Sequence, residues 1–264
     1  MASTDSFSRR LLIDDKNRPN KKRINMPNQN IVIIGASGGL GSAFVKAFAD
    51  DSSNTIYAFS RSEIEDKLAN VNYGRVDFTA EASIKQAAEK SAQWGPLDCV
   101  IVAAGVLHDS DLKPEKSLRD LSVDNFQRSF VANTIGPALV AKHFLPKLQR
   151  NRRSVFAALS ARVGSIGDNR LGGWYAYLAS KAALNMVIKT ASIEIARLQK
   201  QVIVVGLHPG TVDTSLSQPF QQRVPSDKLF STEYSARQLI KVLQGLTVEN
   251  SGKVFAWDGN EVPC

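Results

Sequence analysis

Short apolar runs that alternate with helical stretches are the feature that most constrains how this chain can fold. Most of the runs are continuously apolar, which is typical of strands buried on both faces of a sheet. The predicted strands are residues 31–34, 55–59, 71–76, 99–103, 155–159, 202–207 and 254–257. The predicted helices are residues 39–50, 81–93, 123–149, 175–198 and 232–246. This alternation predicts an α/β fold with one doubly wound parallel sheet of about seven strands, flanked by helices.

The chain length fits a single domain preceded by a basic segment. With 264 residues, of which 43% are hydrophobic, the chain can bury one large core. Residues 1–29 are polar and lack an apolar period, so we expect a flexible extension there and one domain over residues 30–264. Residues 1–30 hold seven basic and three acidic residues, which is half of the net charge of +8. Because basic tails are commonly solvated, we expect no nucleic-acid binding; a scaffold that binds acidic partners through residues 1–29 is the alternative.

Cysteine usage and hydropathy indicate the compartment. The two cysteines make neither a disulfide framework nor a metal-ligand cluster, and the three histidines lie in unrelated segments, so we expect no metal site. The longest apolar run, residues 99–107, has nine residues, whereas a membrane-spanning helix needs about 20. The N-terminus lacks the apolar region of a secretory signal. We expect a cytoplasmic protein that does not enter a membrane, and organellar targeting by residues 1–29 stays open.

A glycine-rich turn follows the first predicted strand. Glycine permits positive φ and a close approach of the backbone to a ligand. The first helix begins within this turn, and a helix N-terminus offers free N–H groups and a positive dipole end to a pyrophosphate. A tight turn that holds no ligand is the alternative. The predicted ligand contacts are Gly35, Ser37, Gly38, Gly39, Leu40 and Gly41.

The end of the second predicted strand indicates which dinucleotide fits. NAD sites usually place an acid there, on the ribose 2′-hydroxyl. This strand instead ends in Ser60 and is followed by Arg61. A guanidinium binds a 2′-phosphate that a carboxylate would repel. We expect a preference for NADP(H) with Ser60 and Arg61 as the contacts, while NAD(H) stays possible and a solvated arginine is the alternative.

Tyr177 and Lys181 form a candidate catalytic pair. They are four residues apart on a predicted helix, which puts them on one face. A tyrosine has a pKa near ~10, and a nearby ammonium lowers it, so that the phenol can act as a general acid or base toward a carbonyl or alcohol. Tyr175 is a competing phenol, but its spacing from Lys181 does not bring the two to one face. A surface pair without function is the alternative.

The glycine spacing Gly-x-x-x-Gly-x-Gly and the Tyr-x-x-x-Lys pair together resemble the short-chain dehydrogenase/reductase family over residues 30–260. Residues 164–169 and 172–175 resemble its C-factor and Sniffer-like carbonyl reductase branch. The resemblance implies a Rossmann-like fold and a homodimer or homotetramer formed through the helices at 123–149 and 175–198.

The resemblance also implies further site residues. Asn133 matches the asparagine that positions a relay water, and Asp77 matches the residue that meets the adenine amine. Lys181 would hold the nicotinamide ribose. The remaining contacts with the dinucleotide would come from the ends of the fourth and sixth strands, at Ala104, Gly105, Pro209, Gly210, Val212 and Thr214.

The sequence departs from the family pattern at three places. Ile34 stands where threonine is usual, and Val102 and Ala103 stand where the family has two asparagines before Ala-Gly. The family serine falls at Ala161, counted back from Gly164, so Ser160 is expected to take its role after a shift of one residue. Ser165 is the other candidate for that role.

These residues predict an NADP(H)-preferring oxidoreductase that reduces an aldehyde or ketone to an alcohol. Tyr177 would donate the proton, Lys181 would lower its pKa, Ser160 would bind the carbonyl oxygen, and Asn133 would complete a relay. The substrate is expected between residues 107–116 and 215–231, the second being a partly apolar lid that favours a small hydrophobic carbonyl compound. The alternative is a dinucleotide-binding signalling protein with little turnover.

Overall fold

A computed structural model describes residues 28–263 and has the expected alternation of strands and helices. The strands are β1 (Asn30–Ile34), β2 (Thr55–Ser60), β3 (Val71–Arg75), β4 (Cys99–Val102), β5 (Ser154–Leu159), β6 (Val202–His208), β7 (Thr211–Val212), β8 (Leu229–Phe230), β9 (Val254–Ala256) and β10 (Glu261–Val262). The helices are α1 (Gly39–Ala49), α2 (Glu81–Ser91), α3 (Val123–Phe130), α4 (Gly136–Phe144), α5 (Tyr175–Leu198) and α6 (Thr232–Gly245). The predicted extension lies outside the described residues except for its last two, and it stays a prediction.

The main sheet has eight strands in the order β10-β9-β6-β5-β4-β1-β2-β3. All neighbours run parallel except β10, which pairs antiparallel with β9. The strand order reverses between β1 and β4, where Ile34 pairs with Val102. Ligands of open α/β sheets bind beyond the carboxyl ends of the strands at such a switch point, so the fold places the candidate site there. The predicted fold class is confirmed.

Two apolar layers cover the two faces of the sheet. The side chains of β1 alternate between them, because Val32 and Ile34 pack with α2, α4 and α5, whereas Ile31 and Ile33 pack with α1 and α6. Residues 31–34 are at most 1% exposed. This double burial explains why the central strands are apolar at every position rather than at alternate ones.

The predicted helix over residues 123–149 is interrupted. A π-helical turn, Val131–Ile135, separates α3 from α4, and a short 3-10 turn, Leu145–Lys147, follows α4. Pro137 has no N–H and its ring clashes with the carbonyl four residues earlier, which is that of Asn133, so a regular α-helix cannot pass through this point. The interruption places Asn133 at the site side of the sheet.

Three short strands were not predicted. β7 and β8 form a separate parallel pair, in which Val212 lies opposite Phe230, and β10 pairs with β9 at the edge of the main sheet. Within residues 28–263, no helix combines the length and the apolar character needed to cross a membrane.

Candidate active site

The glycine turn after β1 packs against the ends of two neighbouring strands. Gly35 has a φ of +91° and donates its N–H to Phe59 O of β2 at 2.8 Å. A Cβ at Gly35 would lie 2.7 Å from the backbone nitrogen of Ala104, so only glycine lets the turn lie this close to the end of β4. The turn is therefore held over the switch point of the sheet.

The N-terminus of α1 has the features of an anion-binding site. Ser37, Gly38 and Gly39 are exposed, and within residues 28–263 no side chain caps this helix start and no acid lies in its first turn. The first N–H groups of a helix have no intrahelical partner and carry the positive end of the dipole. A Cβ at Gly41 would lie 2.1 Å from Gly35 O, so the helix packs on the turn only because residue 41 is glycine. Leu40 is buried beneath this turn.

The ends of β2 and β3 place two cations near one carboxylate. Ser60 is buried and its hydroxyl donates to Ser62 O, whereas Arg61 is exposed. Hydrogen bonds from Thr79 N–H and Thr79 Oγ, at 2.9 and 2.7 Å from Asp77 Oδ1, lower the pKa of Asp77, and the charges of Arg61 and Arg75 add to this. Sequence reasoning missed Arg75, which pairs in register with Ser60. The available signal was a basic residue near the end of the third predicted strand, which neighbours the second in a doubly wound sheet.

Tyr177 and Lys181 lie together in the first two turns of α5, as their spacing predicts. Lys181 Nζ is 5.8 Å from the centroid of the Tyr177 ring and donates to Leu159 O, at the end of β5, at 2.8 Å. Lys181 is 4% exposed. A Cβ at Gly164 would lie 2.8 Å from Lys181 Cβ, so the absence of a side chain at Gly164 lets the turn after β5 pack on the lysine.

Asn133 is fully buried and joins α5 to the end of β4. Its Oδ1 accepts from Val106 N–H at 2.8 Å, and its Nδ2 donates to Val106 O at 2.8 Å and to Ser180 Oγ at 3.0 Å. A Cβ at Gly105 would lie 3.0 Å from Asn133 Oδ1 and 3.4 Å from Lys181 Nζ. A side chain at position 105 would therefore crowd both groups at the end of β4.

Burial shifts the pKa of Tyr177 and of Lys181 in the direction that favours the neutral form of each group. Desolvation raises the pKa of Tyr177 to about 12 and lowers the pKa of Lys181 to about 8. The direction for the tyrosine is opposite to the one predicted from sequence. The spacing of the two residues predicted that the lysine lies near the tyrosine, but it gave no measure of how deeply both groups are buried.

The two serine candidates are both buried and both engaged. Ser160 Oγ donates to Asn185 Oδ1 of α5 at 2.6 Å, and Ser160 N–H donates to Leu207 O of β6. Ser165 Oγ accepts from Asp168 N–H at 3.1 Å inside its own turn. Ser160 lies at the end of β5, one residue beyond the carbonyl that holds Lys181.

The turn after β6 approaches the glycine turn. A Cβ at Gly39 would lie 3.0 Å from the methyl group of Thr214, so Thr214 is next to the start of α1. Gly210 has a φ of +77°, Pro209 O accepts from Ser235 Oγ at 2.8 Å, and Val212 is buried. The residues after β6 that are predicted to touch the dinucleotide therefore lie at the same edge of the sheet as those after β1.

A buried carboxylate, Glu115, was not predicted and supports the start of α5. It is 2% exposed, its Oε2 accepts from Ala176 N–H at 3.2 Å, and its Oε1 accepts from Asn125 Nδ2 at 3.2 Å. Its backbone oxygen accepts from Trp174 N–H at 2.6 Å. A contact between residues about sixty positions apart gives no local sequence signal.

Aromatic side chains extend from Tyr177 toward the loop after β7. Trp174 meets Tyr177 edge-to-face with ring centroids 6.3 Å apart, and Phe220 lies 4.8 Å from Trp174. The backbone before α5 is left-handed at three successive residues, Gly172, Gly173 and Trp174, with φ values of +64°, +70° and +49°. Trp174 therefore lies between Tyr177 and Phe220.

The residues present fit a nicotinamide dinucleotide. An uncapped, exposed helix start suits the pyrophosphate, the exposed Gly105 adds no side chain next to Lys181 and Asn133, and Arg61 and Arg75 lie at the ends of β2 and β3. With a doubly wound sheet and a Tyr–Lys pair at its switch point, these features define the class of dinucleotide-dependent oxidoreductases.

Comparison with known proteins gives the family. Residues 29–225 match the family model described as short chain dehydrogenase. The chain therefore belongs to the short-chain dehydrogenase family, whose members are oxidoreductases that use a nicotinamide dinucleotide and act on small molecules. The resemblance inferred from sequence is confirmed.

Similar proteins come from distant organisms. The chain is 36% identical to C-signal of Myxococcus xanthus over 64% of this chain and 93% of that protein. It is 31% identical to 1-hydroxy-2-glutathionyl-2-methyl-3-butene dehydrogenase of Rhodococcus sp., over 87% of this chain and 96% of that one. Among solved structures, carbonyl reductase Sniffer of D. melanogaster has a TM-score of 0.77 at 23% identity, covering 89% of this chain and 100% of that one. NADPH-bound carbonyl reductase from chicken fatty liver has a TM-score of 0.76 at 23% identity, covering 90% of this chain and 100% of that one.

Proposed function

We propose that this chain is an NADP(H)-preferring carbonyl reductase that converts an aldehyde or ketone to an alcohol. The observation that carries the proposal is the position of Tyr177 and Lys181 next to the exposed Gly105, at the carboxyl edge of the sheet. When bound, the cofactor supplies the hydride. The protein must then supply a proton to the carbonyl oxygen.

Tyr177 is the proton donor in this proposal. A pKa of about 12 keeps its phenol protonated at neutral pH, which is the form that reduction requires. With a pKa of about 8, Lys181 is mostly charged at pH 7. Its ammonium, 5.8 Å from the ring centroid, stabilises the phenolate that remains after proton transfer, because opposite charges attract strongly in a desolvated site.

Asn133 is proposed to link Lys181 to solvent through a water. Because Pro137 has no N–H, the carbonyl of Asn133 lacks the partner that an α-helix would give it, and the π-helical turn contains this residue. The side chain of Asn133 is fixed by its bonds to Val106 and Ser180. A fixed side chain and a carbonyl without its α-helical partner suit a residue that positions water.

Ser160 is proposed to bind the carbonyl oxygen of the substrate. Its hydroxyl is at the end of β5, one residue beyond the carbonyl that holds Lys181, and it would have to leave Asn185 to bind the substrate. Ser165 stays the alternative, and its hydroxyl would have to leave Asp168 N–H.

The preference for NADP(H) is proposed from the charges at the end of β2. Arg61 and Arg75 both act on Asp77, so two cations lie where a 2′-phosphate would bind, and Ser60 stands where an acid would select NAD. The bound NADPH in the similar chicken carbonyl reductase supports this choice. Asp77 would then meet the adenine, and the α1 start and Thr214 would hold the pyrophosphate.

Assembly and compartment are also proposals. α5 presents apolar side chains to solvent, with Met186 65% and Leu198 70% exposed, and Leu198 also lines a groove between α4 and α5. A second copy covering this surface would give the homodimer or homotetramer expected for the family. We propose a cytoplasmic location.

A signalling protein with little turnover is the second candidate. Two observations favour it. The Ser160 hydroxyl already donates its hydrogen to Asn185 Oδ1, and one similar protein bears the name C-signal. In such a protein the dinucleotide would bind without a substrate being reduced.

Cofactor titration followed by a carbonyl screen separates the two candidates. For the reductase, we expect NADPH to bind more tightly than NADH and to be oxidised by members of a panel of aldehydes and ketones. Tyr177→Phe should lower kcat by about 10²- to 10⁴-fold with an unchanged Kd for NADPH, because only the proton donor is removed. Tyr175→Phe, two residues away on the same helix, should retain activity. Tight NADPH binding without turnover in the wild type would favour the signalling protein instead.

A further inference from the structure

Two loops flank the space beside Tyr177 and touch each other through one histidine. We call residues 107–116 the β4 loop and residues 215–231 the lid. His108 of the β4 loop places Nε2 3.1 Å from both Ser215 O and Leu216 O of the lid. Because carbonyl oxygens only accept hydrogen bonds, Nε2 must carry the hydrogen, and one N–H is shared between the two carbonyls.

The same histidine is one end of an aromatic series that reaches the proposed proton donor. The His108 ring meets Phe220 of the lid edge-on at 5.6 Å, and Phe220 packs on Trp174 at 4.8 Å. Trp174 in turn contacts Tyr177. The lid therefore contributes a ring to the wall next to the phenol, and its placement depends on where the lid is held.

The β4 loop also holds the other half of this wall. Glu115 O accepts from the backbone N–H of Trp174 at 2.6 Å, which fixes the backbone that carries the indole just before α5. The β4 loop thus positions Trp174 through Glu115, near the end of the loop, and Phe220 through His108, near its beginning. His108 is half-buried, and its contacts join chain segments more than one hundred residues apart.

We propose that His108 is a positioning residue that determines substrate specificity by tying the lid to the β4 loop. The tie keeps Phe220 against Trp174 and so forms an apolar wall of aromatic rings beside Tyr177. Such a wall favours compounds that carry a flat ring next to the carbonyl, because aromatic pairs gain more than area burial alone provides. The substrate part of this proposal rests on the proposed function.

The test compares the wild type with His108→Leu, which removes the N–H and keeps an apolar side chain. Hydrogen–deuterium exchange over the lid peptides should become about three- to tenfold faster in the variant, since one shared hydrogen bond is lost. His108→Gln, whose amide N–H can donate to the same carbonyls, should restore slow exchange. His143→Leu is the matched control, because His143 bonds to Glu81 away from the lid and should leave lid exchange unchanged.

The second measurement is calorimetric binding of two alcohols to the NADPH-saturated protein. Wild type should bind benzyl alcohol about three- to tenfold more tightly than cyclohexylmethanol, which has the same carbon count but no aromatic ring. His108→Leu and Phe220→Leu should lose this preference, and His143→Leu and His108→Gln should keep it.

Lid exchange that is the same in His108→Leu and wild type overturns the proposal, as does a preference for the aromatic alcohol that survives in that variant. Neither measurement requires turnover. A wild-type protein that reduces no carbonyl therefore contradicts the proposed function, whereas the role of His108 is judged separately by lid exchange and by alcohol binding.

Discussion

Removing the charge of Lys181 should change how the stability of this protein depends on pH. The side chain is 4% exposed, and desolvation lowers its pKa from 10.5 to about 8. A shift of this size corresponds to about 3 kcal/mol at pH 7, because each pKa unit is worth about 1.4 kcal/mol. The folded chain therefore carries a cost for keeping this amine charged.

The sign follows from proton binding. Between pH 8 and 10.5 the unfolded chain holds the lysine proton more tightly than the folded chain does, so raising the pH relieves the cost and stabilises the folded state. Lys181→Met keeps most of the aliphatic chain and has no charge to desolvate. It also loses the hydrogen bond to Leu159 O, which costs about 1–3 kcal/mol at every pH.

The diagnostic quantity is the difference in unfolding free energy between Lys181→Met and wild type. Whatever its absolute value, the variant's unfolding free energy minus that of the wild type should fall by about 2 kcal/mol from pH 7 to pH 9.5. The wild type gains this stability as its lysine loses the proton. Urea unfolding followed by tryptophan fluorescence, without added cofactor, measures it. Tyr177 adds little to this difference, because burial raises its pKa to about 12 and keeps the folded phenol protonated up to pH 9.5 in both proteins.

Lys189→Met is the matched control, since Lys189 lies on the same helix and is exposed. Its stability difference from wild type should stay constant over the same pH range. A constant difference for Lys181→Met as well would refute the reasoning, because it would mean that water reaches the amine and that the charge is not desolvated.

Two further substitutions and one labelling experiment have defined outcomes. Arg61→Ser should raise the Kd for NADPH by about 10- to 100-fold and leave that for NADH within about twofold, as measured by fluorescence titration, because a charge-assisted bond to the 2′-phosphate is lost. Gly41→Ala should lower the unfolding free energy by about 3 kcal/mol, since its methyl group meets backbone, whereas Gly245→Ala, whose Cβ meets no described atom within 4 Å, should not. Cys99 should resist iodoacetamide at pH 8 until urea unfolds the chain, as judged by peptide mass spectrometry, because burial raises its pKa to about 12.

The central strands and the helix positions were predictable because burial on both faces leaves a continuous apolar run. The predicted strand over residues 202–207 and the helix over 175–198 agree closely with β6 and α5. β7 and β8 were missed, since a strand of two residues is too short to have a period. The π-helical turn was missed because the apolar pattern continues through Pro137.

The predicted site residues gather at one edge of the sheet, since the loops after parallel strands meet there. Contacts that depend on distant parts of the chain were not predictable. Glu115 reaches Ala176, and His108 reaches Ser215, without any local signal in the sequence. The direction of the Tyr177 pKa shift also depends on burial, which only the packed structure reveals.

The left-handed backbone at Trp174 restricts how this enzyme can acquire new substrates. A residue other than glycine in that conformation costs about 1–2 kcal/mol, and the contacts of the indole offset the cost. Exchanging Trp174 for a smaller residue other than glycine keeps the cost of the left-handed backbone and loses the contacts of the indole that offset it. Phe220 has no such backbone constraint. Selection for altered substrate range should therefore accumulate substitutions at position 220 long before it changes position 174.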